Sequence, residues 1–323
     1  MHQRHLRYFV GIVDAGSFSR AATLIHVAQP ALSQQIADLE QELGVTLLHR
    51  SARGVRPTPA GELLYKEASA ILQQMDRLPD LLRSLGAAPQ GVVRLGMSST
   101  LASVLAGSLI ETCRAQLPKV TLQFTAANSL QLRERLHAGS LDIALAFEDD
   151  DGANVNTGLH HLPLFRRRLS LIRRRGATGS DGGAGDDADQ AAVSIETLAA
   201  LPLVLAIRPN VTRTLLDRAF TARGLTPQIV AETELFSGMM SAVLAGVGVA
   251  AIPASDLSIT PGHEALVAIP IEPPLFLTAA ILAPGATPLT PAATAVRKVL
   301  AAFMRDYLSG LSCQDTVLVE STS

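Results

Sequence analysis

The N-terminal part of the chain carries short helical patterns separated by polar breaks. Within residues 1–58, apolar side chains recur at about the 3.6-residue period of helices that bury one face, and the clearest helix covers 29–44. Pro30 suits its first turn because the missing N–H needs no partner there, and Gly44 is typical of a helix end. An alternating stretch with Gly54 at its tip predicts a small hairpin. Helices, a short turn and a hairpin together predict a winged helix-turn-helix domain.

A long helix is predicted next, in a linker and hinge segment over 59–90. Its apolar residues are spaced alternately four and three apart, which is the heptad spacing of a helix that packs on a partner helix. The residues expected to form a dimer contact are Leu64, Ala68, Ile71, Met75 and Leu78. A helix that packs only on its own domain stays open as an alternative. Pro79 lies inside the pattern and is expected to kink or end the helix.

From residue 91 onward, strand patterns alternate with helix patterns. Such alternation predicts parallel sheets covered by helices, and it occurs here in two similar sets. We therefore expect a two-lobed α/β domain over 91–310, with a cleft between the lobes, and a tail over 311–323. The predicted fold class is α+β multidomain, with a winged helix-turn-helix, a long linker helix and two α/β subdomains.

The helix over 29–44 begins with a corner that is polar but uncharged. The side chains there are Gln29, Pro30, Ser33 and Gln34. Amides and hydroxyls can bond to base edges in the major groove, where the second helix of a helix-turn-helix lies. We expect base contacts from this corner, and the residues expected to contact phosphates are Ser17, Arg20, Arg50 and Arg53. The alternative is a small helical domain whose amide face is merely solvated.

Polar residues also follow several strands of the α/β region, where loops lead into helices. The candidate effector-binding residues are Ser98, Ser99, Thr100, Asn128, Ser129, Arg208, Thr212 and Ser237. Ligands of open α/β folds bind at the carboxyl ends of strands, and helix N-termini favour anions. A small carboxylate or a similar anion is therefore the expected ligand. The alternative is that these residues are ordinary helix caps.

The chain has 323 residues, a formal net charge of −2 and 48% hydrophobic residues. These values are typical of a globular protein with two or three domains, and they argue against a uniformly basic surface but not against a local basic face. With no readable disulfide framework, signal segment or membrane-length apolar stretch, the protein is expected to be cytoplasmic. No catalytic constellation, metal-ligand cluster or cofactor motif is readable, so neither an enzyme nor a bound metal or cofactor is expected.

The stretches LRYFVGIVDAGSFSRAATLIHVAQPALSQQIADLEQELGVTLLHR and RGVRPTPAG resemble the N-terminal signature of LysR-type transcriptional regulators. The likeness continues more weakly through RLGMSS, GSLDIAL and AGVGVAAIPAS. It implies a DNA-binding winged helix-turn-helix, a dimerising linker helix and an effector-binding domain like periplasmic binding proteins. It also implies a homodimer or homotetramer on an interrupted palindrome in double-stranded promoter DNA. A small-molecule effector and RNA polymerase are the further partners it suggests, and no membrane is involved.

Two positions depart from the commonest pattern of that family. Leu48 stands where Phe is usual, and Pro57 stands where Leu is usual. Together with IVDAGS, PALSQQ and LTPAATAVRKVL, they resemble the branch of nitrogen assimilation control regulators. Members of that branch need not respond to a small molecule, so the resemblance leaves the presence of an effector open.

Two other classes of protein fit parts of the pattern. A cytoplasmic solute-binding protein with an N-terminal oligomerisation module would bind a ligand but not DNA. The lack of a readable secretion signal counts against it. An enzyme built on the α/β region would turn over a substrate, and the missing acid–base set counts against that.

Overall fold

The computed structural model of the protein describes residues 1–51, 54–83, 88–149, 158–176, 192–285, 287–309 and 316–319. The chain divides into two compact units. The first comprises Met1–Ala88 and Glu134–Leu141, and the second comprises Pro89–Arg133 and Asp142–Ser323. Residues 84–87, within the predicted linker and hinge segment, lie outside the described residues. None of the helices in the described part is long and apolar enough to cross a membrane.

The first unit is built from three helices, a hairpin and a long fourth helix. Its elements are α1 (Gln3–Ala15), α2 (Phe18–Ile25), α3 (Gln29–Leu43), β1 (Leu48–Ser51), β2 (Gly54–Pro57) and α4 (Pro59–Arg83). Helix α3 buries Leu32, Ile36 and Leu39 completely, in a core that α1 and α2 share. Since these residues recur every three to four positions, one face of α3 is fixed in the core and its opposite face remains outside.

Local contacts fix the direction of α3 and of the hairpin. His26 adopts the left-handed conformation (φ 58°) and ends α2, and Gly44 does the same (φ 68°) for α3. The Glu40 carboxylate accepts hydrogen bonds from the backbone N–H groups of Leu47 (2.7 Å) and Leu48 (3.1 Å), which ties α3 to the start of β1. These contacts hold the hairpin at a defined angle to α3.

The apolar residues of α4 do not form the single seam that the heptad spacing predicts. Some of them pack within the first unit, and others are exposed. Ala68 is 1% exposed and packs with Leu6 and Leu72, and Leu64 packs on the same core. The residues that remain exposed are Ile71, Met75, Leu78 and Leu82. Pro79 lies inside the helix, which continues to Arg83. Two of the five predicted dimer residues therefore pack within their own unit, and three are exposed.

The second unit is a mixed α/β structure. Its elements before residue 201 are β3 (Gly91–Ser98), α5 (Ser99–Gln116), β4 (Val120–Ala127), α6 (Ser129–His137), β5 (Ile143–Asp149), β6 (Leu159–Arg174), β7 (Val193–Ser194) and α7 (Ile195–Ala200). There follow β8 (Leu203–Ala206), α8 (Val211–Thr221), β9 (Ile229–Thr233), α9 (Phe236–Leu244), β10 (Ala250–Pro253), two 3₁₀ turns (Ala254–Ile259 and His263–Ala265), β11 (Leu266–Glu272), β12 (Phe276–Pro284), α10 (Pro291–Ser309) and β13 (Thr316–Leu318).

The expected parallel pairing holds for only part of the sheets. Strand β3 pairs in parallel with β4 and β5, and β8 pairs in parallel with β9. The 16-residue strand β6, however, pairs antiparallel with β10, β11, β12 and β13. The pattern does not reveal β6 because arginines interrupt its apolar alternation. Strand β13 comes from the segment predicted to be a tail, so part of that segment completes the sheet.

Candidate functional site

The outer corner of α3 is polar, uncharged and accessible. Gln29, Pro30 and Gln34 are exposed and Ser33 is half-buried, on the side of α3 away from its buried leucines. All four lie within the first two turns of the helix. The amide and hydroxyl groups of this corner can form hydrogen bonds with another polar surface, and they add no charge. The structure thus brings the four predicted base-contacting residues together.

Arg50 on β1 is held against this corner by two different contacts. Its Nη1 donates a hydrogen bond to Ser33 Oγ (2.9 Å), and its guanidinium carbon lies 4.5 Å from the ring centroid of Phe18. A guanidinium over an aromatic face is stabilised by the ring quadrupole. Arg50 is therefore an exposed cation whose position is fixed beside α3.

The other predicted phosphate-contacting residues are Ser17, Arg20 and Arg53, and their surroundings differ. Ser17 is the N-cap residue of α2, but its hydroxyl makes no capping hydrogen bond. Arg20 is exposed on the same helix. Arg53 lies outside the described residues. Gly54, the first residue of β2, has a φ of 122°, and a side chain there would collide with the carbonyl oxygen of Gly16.

The second unit contains a cleft with a cavity volume of about 120 Å³. Six of the eight candidate effector-binding residues line it, namely Ser98, Ser99, Thr100, Asn128, Ser129 and Thr212. They come together because the neighbouring strands β3 and β4 lead into α5 and α6, and β8, in the separate two-stranded sheet, is followed by α8 at the same cleft. Apolar walls are supplied by Phe147, Leu205, Leu216, Phe236, Met239 and Ile252, among others.

The three helix N-termini at the cleft are not equivalent. Asn128 Oδ1 accepts from Gln131 N–H (2.9 Å) and Asn210 Oδ1 accepts from Arg213 N–H (3.2 Å), so α6 and α8 are capped by their own side chains. Ser98, the N-cap residue of α5, makes no such bond. Its hydroxyl is buried and has no hydrogen-bond partner among the described residues. The start of α5 is thus the position best suited to a ligand acceptor group.

Arg208 and Ser237 do not line the cleft. Arg208 donates instead to Asp217 Oδ2 (2.7 Å), and Asp217 also accepts from Arg213 Nε (2.9 Å). Burial raises the pKa of Asp217, but the hydrogen bonds from both arginines outweigh that effect and hold the pKa below its ordinary value. Arg213 does line the cleft, and it also pairs with Glu232, so its charge is already compensated.

A buried ion pair beside the cleft was not predicted from the sequence. Arg167 Nη1 donates to Asp256 Oδ1 (2.6 Å), and the two side chains are only 2% and 4% exposed. Asp256 lines the cleft. Burial raises its pKa to about 6, with Arg167 acting in the opposite direction. Arg167 stands between two other arginines in β6, and no signal in the sequence pattern links it to a carboxylate 89 positions away.

Neither site offers a recognisable metal centre. In the part of the chain that the structure describes, no three His, Cys, Asp or Glu side chains are grouped so as to hold a metal ion. The binding chemistry of both sites therefore rests on their hydrogen-bonding groups, their charges and their apolar walls.

A winged helix-turn-helix followed by a long helix and a two-lobed α/β domain with a polar cleft is the architecture of a ligand-responsive transcriptional regulator. The family described as "Bacterial regulatory helix-turn-helix protein, lysR family" matches residues 3–62, and "LysR substrate binding domain" matches residues 86–305. The chain therefore belongs to the LysR family of transcriptional regulators.

Individual relatives agree with this assignment. The nitrogen assimilation regulatory proteins nac of Klebsiella aerogenes and of Escherichia coli (strain K12) are each 33% identical over 302 residues, which is 93% of this chain and 94% of theirs. A full-length OxyR variant from Pseudomonas aeruginosa has a TM-score of 0.68 at 24% identity and covers 100% of this chain and 99% of its own. CbnR complexed with its target DNA has a TM-score of 0.60 at 21% identity, covering 95% and 99%.

The family assignment decides between the classes considered from the sequence. LysR regulators bind promoter DNA, form oligomers and bind small-molecule effectors. The helix-turn-helix match favours a DNA-binding regulator over a solute-binding protein with an oligomerisation module. The relatives named above are regulators rather than enzymes.

Proposed function

We propose that this regulator reads its operator through the polar corner of α3, with Gln29, Pro30, Ser33 and Gln34 against base edges. The observation that carries the proposal is an exposed, uncharged set of hydrogen-bond donors and acceptors at the start of α3, the second helix of the helix-turn-helix. The fixed cation Arg50 lies beside this set. Ser17, Arg20, Arg50 and Arg53 contact phosphates and set the register. The protein acts in the cytoplasm on this basis, as a regulator and not as an enzyme.

The exposed stripe of α4 is the proposed dimer contact. Ile71, Met75, Leu78 and Leu82 are all at least 40% exposed and follow one another at helical spacing. A dimer, or a tetramer of two dimers, presents two copies of α3 to two half-sites and so binds an interrupted palindrome. RNA polymerase is the further partner at the regulated promoter.

The cleft is the proposed effector site. The uncapped start of α5, with the unpartnered Ser98 hydroxyl, suits an anionic acceptor such as a carboxylate. Further short polar groups are supplied by Ser99, Thr100, Asn128, Ser129 and Thr212.

The regulated genes are proposed to serve nitrogen metabolism. This proposal rests on the likeness to the nac proteins alone.

The test of the main proposal is selection of genomic fragments by the purified protein, followed by sequencing of the bound sites. We expect a small set of sites that share an interrupted palindrome, near genes for the uptake or use of nitrogen compounds. Absence of any enrichment, with and without a ligand panel, would refute DNA recognition by this corner. A shared palindrome near unrelated genes would refute the nitrogen assignment only.

Replacing Gln34 by alanine should weaken binding to the selected operator by about 1–3 kcal/mol and relax base preference at one position of each half-site. The reason is the loss of a bidentate base contact. Titration of operator variants by fluorescence anisotropy measures both effects. Gln41→Ala, on the exposed end of the same helix, is the matched control and should change neither.

Replacing Arg50 by alanine should weaken binding to all sequences alike. Because one phosphate contact is lost, the slope of log affinity against log salt should fall by about 0.9. Affinities for operator and for random DNA, each measured at several salt concentrations, provide the readout, with the exposed Arg114 of α5 replaced by alanine as the control. A change in sequence preference at an unchanged salt slope would contradict the assigned role.

A further inference from the structure

The two glutamines of the α3 corner are held by neighbours that engage opposite ends of their amides. Ser19 Oγ on α2 donates to Gln29 Oε1 (2.8 Å). Gln34 Nε2 donates to Asp38 Oδ1 (2.8 Å), one helical turn further along α3. The first contact therefore occupies an amide oxygen, and the second occupies an amide hydrogen.

The chemistry of the partners decides what each amide still offers. A side-chain amide has one acceptor oxygen and two N–H donors. An ionised carboxylate only accepts, so turning the Gln34 amide over would place its oxygen against the Asp38 oxygen. Gln34 is thus left with its oxygen and one N–H. Ser19 does not fix the Gln29 amide in the same way, because a hydroxyl can either donate to the amide oxygen or accept from the amide N–H.

These remaining groups match different bases. In the major groove adenine presents a donor (N6) beside an acceptor (N7), whereas guanine presents two acceptors (O6 and N7). An oxygen together with one N–H pairs with adenine but cannot serve both guanine acceptors. Two N–H groups can serve both guanine acceptors. From this we infer that Asp38 commits Gln34 to adenine.

Asp38 is a positioning residue in this inference, which rests on the proposed base contact of Gln34. Bases are contacted mainly by the N-terminal residues of such a helix, and Asp38 lies in its third turn and is half-buried. A hydrogen bond to a charged acceptor is stronger than one between neutral groups, so the Gln34 amide is oriented before DNA arrives.

The experiment compares base preference in alanine variants of the full-length protein. Selection from an operator library with randomised half-sites first locates the position that Gln34→Ala relaxes. At that position the wild type should prefer adenine, and Asp38→Ala should lower the adenine-to-guanine ratio at least about fivefold.

Removal of a negative charge near DNA raises affinity for every sequence, so a charge-matched control is needed. Glu42→Ala removes the same charge from the same helix, where Glu42 pairs with the chain's N-terminus. It should raise affinity without altering any base ratio. Circular dichroism verifies that each variant is folded.

The outcomes separate the two proposals. If Gln34→Ala relaxes no position, the base contact itself is refuted, and with it the orientation argument. If Gln34→Ala relaxes a position but Asp38→Ala behaves like Glu42→Ala there, only the orientation inference is overturned. A wild-type preference for guanine at the Gln34 position would overturn it as well.

Discussion

Replacing Asp256 by alanine is expected to destabilise the second unit by about 3–5 kcal/mol, because it leaves a buried guanidinium without its carboxylate. Arg167 is 2% exposed and its Nη1 bonds directly to Asp256 Oδ1. The guanidinium is almost inaccessible to water in the folded protein, so its charge depends on this partner. Urea unfolding, followed by circular dichroism, measures the change in the free energy of unfolding.

Two companion variants distinguish loss of the partner from loss of charge. Asp256→Asn keeps an acceptor oxygen and should cost much less than the alanine variant. The double variant Arg167→Met with Asp256→Leu removes both charges and keeps the volume, so it should be close to the wild type or more stable. A double variant as unstable as Asp256→Ala would show that the cost is one of packing and not of an unpaired charge.

The same carboxyl predicts a pH dependence of stability. Its pKa in the folded protein is about 6 against 3.8 for an unburied aspartate, because burial disfavours the charged form. The stability that it contributes is therefore fully present below pH 3.8 and is lost as the pH rises through 6. The free energy of unfolding of the wild type relative to Asp256→Asn should fall between those two values. A difference that rises with pH would mean that Arg167 outweighs the burial.

The N-terminal fold was predictable from the sequence because its signals are local. The α3 pattern, Pro30 in its first turn and Gly44 at its end all act within a few residues, and each is found where predicted. The cleft residues were predictable for a similar reason. Polar residues that follow neighbouring parallel strands must meet at one edge of the sheet, and Ser98 and Asn128 do so after β3 and β4. Thr212 reaches the same cleft from the separate sheet of β8 and β9.

What the sequence could not reveal depends on contacts between distant positions. Arg208 looked like a free charge beside the cleft, but Asp217 engages it from the next helix. No local pattern links Arg167 to Asp256, and only the fold brings the two side chains together. The heptad spacing of α4 could not tell which leucine faces its own unit, since packing on α1 and packing on a partner helix need the same spacing.

Disrupting the exposed stripe of α4 should have the largest effect on DNA binding. Replacing Ile71 and Met75 by aspartate places charges where two helices are proposed to meet, and both side chains are exposed in the single chain. The fold of the first unit should therefore survive, whereas the assembly should not. A monomer engages one half-site at a time, so affinity for the full operator should fall by about 10²- to 10⁴-fold.

Sedimentation velocity and operator titration measure these two consequences separately. Lys66→Asp, a charge reversal on another exposed face of α4, should leave both the assembly and the affinity unchanged. Binding to a single isolated half-site should be the same for the double variant and the wild type, because each α3 is intact. A double variant that still sediments as a dimer would remove this stripe from the interface. A monomer that keeps full operator affinity would instead refute the cooperative use of two half-sites.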